Sequence, residues 1–98
     1  MLESKIEGYF KKKFESAGGM FLKFTSAIAG VPDRVAILGG KVWFIELKSE
    51  GKKPRPLQQR VIAKMQKVGV NVIIIDSKTG VDTFLQECII ETKLNRRE

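Results

Sequence analysis

Three observations predict an α/β domain with its elements in the order helix, strand, strand, strand, helix, strand, helix. Apolar residues recur at helical spacing in three separate stretches, two strand-like runs are joined by Gly39-Gly40, and Val70 to Ile75 is an almost unbroken β-branched run. The first helix is expected from about residue 2 to 17, because Leu2, Ile6, Tyr9, Phe10 and Phe14 fall on one stripe that Gly18-Gly19 ends. Met20 to Thr25 alternates Met20, Leu22 and Phe24 in the manner of a strand. A loop through Ser26 and Gly30 follows, ending at Pro32. Arg34 to Leu38 and Lys41 to Lys48 form the next two strands, antiparallel neighbours across the Gly-Gly turn. Ser49 to Pro56, rich in glycine, proline and basic residues, reads as an exposed, flexible loop. The second helix spans Leu57 to about Val68, with Val61, Ile62, Met65 and Val68 on its apolar face and Gly69 at its end. Val70 to Ile75 reads as a strand covered on both faces. A last helix carries Val81, Phe84, Leu85, Cys88 and Ile89, with a frayed tail from about Lys93.

Composition narrows the chemistry. At 98 residues, 43% of them hydrophobic and 30% charged, the chain fits one small domain. Cys88 is the sole cysteine, which excludes an intramolecular disulfide framework and any multi-cysteine zinc site and suits a cytoplasmic setting. Histidine is absent, so Ser-His-Asp and Cys-His catalysis, imidazole-held zinc and histidine general bases are excluded too. No apolar stretch approaches the roughly 20 residues that span a bilayer, and the chain shows no signal-peptide core, so a soluble protein is expected. The net charge of +7 is concentrated at Lys11-Lys12-Lys13, Lys52-Lys53-Pro54-Arg55 and Arg96-Arg97. A polyanionic partner is the natural reading, although charge alone also suits an RNA-binding or membrane-surface protein.

The chemistry-bearing feature is Glu46-Leu47-Lys48, which closes the apolar run Val42-Trp43-Phe44-Ile45. Alternate strand residues share a face, so Glu46 and Lys48 stand on one side about 6.5 Å apart. A carboxylate and an ammonium at the end of a buried strand cost free energy unless paired or coordinated. The glycine hairpin brings Asp33, at the open end of its strand, beside Glu46 to Lys48 on the next. Gln58 projects from the inward stripe of the second helix near its N-terminus.

This ordered set resembles the VRR-NUC family of the PD-(D/E)xK nuclease superfamily. The likeness is carried by Glu7 in the first helix, Gly30-Val31-Pro32-Asp33-Arg34, Ile45-Glu46-Leu47-Lys48-Ser49-Glu50, and Pro56-Leu57-Gln58, and it spans the chain from Glu7 to about Ile75. The resemblance implies a restriction-endonuclease-like core with a mixed central sheet flanked by helices. It implies a magnesium-dependent endonuclease, with manganese as a substitute, in which Asp33, Glu46 and the Leu47 backbone carbonyl hold the ion and Glu7 joins through water or at a second ion. Lys48 would orient or deprotonate the attacking water, and Gln58 would position that water or Lys48. Stand-alone family members suggest a homodimer acting on four-way DNA junctions, whereas others cut flaps. Lys11, Lys12, Lys13, Lys52, Lys53 and Arg55 would contact DNA phosphates. A rival from another class is a basic nucleic-acid-binding module of the same fold that hydrolyses nothing.

Overall fold

The computed structural model describes residues 1–95. Helix α1 (Glu3–Ser16) forms because Ile6, Phe10 and Phe14 recur every fourth residue and are all buried. Strands β1 (Met20–Lys23), β2 (Arg34–Leu38) and β3 (Lys41–Leu47) follow in an antiparallel meander. Helix α2 (Pro56–Lys67) then carries the chain across to β4 (Val72–Ile75), which lies parallel to β3 at the sheet edge. The sheet order is β1-β2-β3-β4 and therefore mixed, as a parallel step requires a helical crossover. Helix α3 (Lys78–Asn95) closes the fold. The fraying expected from about Lys93 and the Arg96-Arg97 pair involve residues or side chains outside the described residues.

The hairpin between β2 and β3 sets the register that matters most. Gly39 and Gly40 have φ of 63° and 80°, the left-handed pair that a two-residue hairpin turn demands and that other residues adopt at a cost. With that turn fixed, Leu38 pairs with Lys41, and the ladder runs to Arg34 opposite Ile45.

The two faces of the sheet are covered unequally. On one face Trp43, Ile45 and Leu47 of β3 join Ile6, Phe10, Phe14 and Phe84 from α1 and α3. Phe10 lies 4.5 Å from Phe21 and 5.8 Å from Phe84 between ring centroids, and Trp43 meets Phe84 edge-on at 5.4 Å. Fully burying an aromatic side chain of this kind contributes about 1.5–3 kcal/mol. On the other face lie Val42, Phe44 and Glu46, together with their cross-strand neighbours. Helix α2 covers only part of it, with Ile62 as its buried residue. Met20, Leu22, Val42 and Ile74 consequently stay 41–53% exposed.

Three expectations change. β4 begins at Val72 because the Val70 amide is spent on the Met65 carbonyl, closing the end of α2. Its cover is uneven: Val72 on the α2 side and Ile75 on the opposite side are both buried, while Ile74, beyond the reach of α2 on this edge strand, is 46% exposed. Val68 lies beyond α2 and is 75% exposed, so it is no part of a buried stripe.

Candidate active site

Glu46 is the one buried charged residue among the described residues, at 5% exposure. It sits on the thinly covered face of β3, one step past the Arg34–Ile45 pair, so Asp33 stands across from it where β2 begins. Two donors reach the same carboxylate oxygen: Lys48 Nζ at 3.4 Å and Gln58 Nε2 at 3.2 Å, both on Oε2. The other oxygen, Oε1, takes part in neither contact. Burial pushes the Glu46 carboxyl above its ordinary range; the Lys48 charge and hydrogen bond oppose that shift, while the charges of Asp33 and Glu3 reinforce it. Desolvation and the neighbouring carboxylates together thus exceed what Lys48 returns.

Each neighbour is placed by its element. Lys48 follows β3 directly, and its amide donates to the Ile75 carbonyl at 3.0 Å, which keeps the side chain on the Glu46 face. The Phe44 amide likewise donates toward β4, to Asn71. Strand alternation therefore turns the carbonyl of Leu47 the opposite way, toward the end of β2 and Asp33. The Leu47 side chain meanwhile remains in the core at 4% exposure. Gln58 performs two tasks with one amide: Oε1 accepts from the Arg55 backbone N–H at 3.0 Å, fixing the start of α2, and Nε2 donates to Glu46. Pro56 at the first helical position contributes a preset φ to the same turn.

Asp33 approaches from a loop held tightly against α2. Gly30 has φ of 89°, and a Cβ there would stand 3.0 Å from the Val61 side chain and 3.3 Å from the Leu57 carbonyl. Pro32 is buried, and the Asp33 carbonyl accepts from the Phe24 amide at 2.9 Å. The Asp33 side chain is 67% exposed and faces solvent at the sheet end.

Glu7 is placed differently from the expectation. Both of its oxygens are taken by Arg34, Oε2 by Nε at 3.0 Å and Oε1 by Nη2 at 2.9 Å. Those hydrogen bonds hold its carboxyl below the usual range, outweighing the effect of burial. Among the described residues no cluster of three or more His, Cys, Asp or Glu side chains is disposed to hold a metal ion. Asp33 and Glu46 thus face each other at the end of the β2–β3 register, and Glu7 reaches Asp33 only through Arg34, whose Nη1 also lies 3.2 Å from Asp33 Oδ2. Glu3 and Arg34 also bear on the site, though neither shows a signal of its own in the sequence. Glu3, exposed at the start of α1, acts on Glu46 through its charge alone.

The basic residues divide into two groups. Lys52, Lys53 and Arg55 are exposed on the loop that joins β3 to α2 and so border the site. That loop is tied down, with the Gly51 amide on Asp76 at 3.2 Å and Gln59 Nε2 on the Pro54 carbonyl at 2.7 Å. Lys11, Lys12 and Lys13 lie in the second half of α1. There Lys11 pairs with Glu15 at 2.8 Å, and Lys13 Nζ lies 5.5 Å from the Tyr9 ring centroid. Cys88 is no candidate nucleophile, because burial pushes its thiol up to about 12.

A mixed four-stranded sheet with a carboxylate at the mouth of β2 and Glu-x-Lys at the end of β3 defines a restriction-endonuclease-like nuclease. The comparisons with known proteins agree. The chain is 41% identical over 78 residues to "Putative nuclease p44" of Acyrthosiphon pisum secondary endosymbiont phage 1, covering 78% of this chain and 84% of that protein. A solved VRR_NUC domain superposes with a TM-score of 0.78 at 33% identity, over 86% of this chain and 94% of that one. No family model matches the sequence. The chain belongs to the VRR-NUC family of nucleases.

Proposed function

We propose that this protein is a magnesium-dependent, structure-selective DNA endonuclease that cleaves four-way junctions as a homodimer. The observation that carries the reading is the meeting of Asp33 and buried Glu46 across the β2–β3 register, with Lys48 and Gln58 both on Glu46. Asp33, Glu46 and the Leu47 carbonyl would hold a hard divalent ion, magnesium in the first place and manganese as its substitute. The donor set fits such an ion, being made of oxygen alone and including a carboxylate whose charge its surroundings under-compensate. The ion, when bound, acidifies a water and neutralises charge on the phosphate.

The remaining residues act directly. Lys48, mostly buried beside Glu46, would as an ammonium orient the attacking water and offset developing charge on the phosphate, or as the free amine accept a proton from that water. Gln58 holds Glu46 in one rotamer from the rigid start of α2. Lys52, Lys53 and Arg55 grip the backbone of the substrate next to the site. Lys11, Lys12 and Lys13, in the second half of α1, would offer a second set of phosphate contacts apart from that loop. Phosphate contacts of this kind select shape over base sequence.

Dimerisation is supported by the uncovered apolar face of the sheet and by the small span of duplex that a 98-residue domain can cover. The test is a panel of branched and linear DNAs incubated with magnesium or with chelator. Cleavage of the four-way junction that is lost with chelator and in Asp33→Asn, with binding and circular dichroism retained, is the expected result. Salt-sensitive binding without products under every condition would establish instead a binding module of the same fold.

A further inference from the structure

We propose that Glu7 and Arg34 are a positioning pair that fixes Asp33 for the divalent ion, Glu7 acting through the guanidinium and not as a ligand. This deepens the metal-site reading of Asp33 and Glu46 and rests on it. Asp33 is the less secured of the two carboxylates: it precedes β2, and its side chain is 67% exposed, against 7% for Glu46. Something other than packing must orient it. Arg34, the next residue, is 14% exposed at its side chain and doubles back on Asp33, with Nη1 2.9 Å from the Asp33 carbonyl and 3.2 Å from Oδ2. The other edge of the same guanidinium donates through Nε and Nη2 to the two oxygens of Glu7. A planar fork with donors on both edges can span two carboxylates in this way, whereas a lysine ammonium, a single point, cannot.

The far end of this strut is rigid. Glu7 rides on α1, and the residue before it, Ile6, is fully buried, as is Phe10 one turn on. The strut therefore ties the mouth of β2 to a helix anchored by three buried side chains, Ile6, Phe10 and Phe14. Charge balance follows the same logic. A lone guanidinium beside a cation site would repel the cation, and Glu7 neutralises it while holding it in place. Glu7 thereby controls both where Asp33 points and what field the ion meets.

Manganese affinity measured by electron paramagnetic resonance on the DNA-free protein tests the proposal, using Glu7→Gln, Arg34→Met, Arg34→Lys and the double variant Glu7→Gln/Arg34→Met. Loss of an outer partner of a metal ligand weakens affinity by about 10–100-fold, and Glu7→Gln is expected to fall in that range with its circular dichroism unchanged. In the Arg34→Met background the same Glu7→Gln change should alter affinity by less than about threefold, because its route to Asp33 is already gone. Arg34→Lys keeps the charge and the stem but loses the fork, so it should weaken manganese binding by about tenfold. Equal losses from Glu7→Gln in both backgrounds would make Glu7 a ligand in its own right and overturn the proposal, as would wild-type affinity in Arg34→Lys. A wild-type protein that takes up no manganese would defeat the metal site itself, and the role of the pair with it.

Discussion

Single residues here are held in states that cost stability and serve chemistry. Glu46 is the sharpest case, since its carboxyl is raised by burial despite Lys48 beside it. A carboxyl whose folded pKa lies above its unfolded value favours the protonated form in the folded state. Its charge therefore destabilises the metal-free protein above the folded pKa, and that penalty fades as pH falls through the folded pKa toward the ordinary carboxylate range. Glu46→Gln, which mimics the neutral form, is expected to raise the melting temperature in chelator at neutral pH by about 2–5 °C, with the gain shrinking on acidification. The same variant should lose cleavage entirely. Differential scanning calorimetry across pH checks the first result, and a lower melting temperature at neutral pH would show that Lys48 compensates the charge. Lys48→Ala should cut the rate by about 10²–10⁴-fold, the usual contribution of a positioned proton-transfer group, with substrate binding nearly intact in a gel-shift titration.

The elements convert short-range sequence signals into a long-range constellation. Gly39-Gly40 fixes one register, and that register alone sets Asp33 across from Glu46, 13 positions on in sequence. The loop before β2 is equally exacting: Gly30→Ala imposes a left-handed φ on a residue with a side chain and presses its Cβ on Val61. A stability loss of about 1–2 kcal/mol is expected by denaturant titration, with a larger fractional loss of cleavage because Asp33 moves with the loop. The antiparallel hairpin, the helical stripes of α1 and Gln58 at the start of α2 were legible in the sequence because each is a local pattern of period two, of period near 3.6, or of a single turn. The length of β4 and the exposure of Ile74 were not, because a β-branched run does not show where the covering helix stops. The pairing of Glu7 was hidden for a related reason. An acidic residue on a helix names no partner, and its pairing with Arg34 arises only when α1 docks beside the mouth of β2, 27 positions away in sequence.

For the whole molecule, covering one face of the sheet leaves the other to do the work. α1 and α3 bury one side, whereas the face that bears Glu46 and Lys48 exposes Met20, Leu22 and Val42 beyond the reach of α2. If a second copy covers that surface, Leu22→Lys should shift sedimentation toward the monomer at micromolar concentration and reduce junction cleavage while leaving the circular dichroism spectrum unchanged. A monomeric wild type with full junction cleavage would remove the homodimer from the account. No helix among the described residues is long and apolar enough to cross a membrane, and the net charge of +7 favours a polyanion. Affinity for DNA should accordingly fall steeply with salt, and Lys52→Ala with Lys53→Ala should reduce the slope of log affinity against log salt by about one for each lysine that contacts a phosphate. The most direct test of the central claim is anomalous diffraction from a crystal soaked in manganese. The account predicts a peak bounded by the Asp33 and Glu46 carboxylates and the Leu47 carbonyl; no peak there, or manganese bound only elsewhere, would contradict it.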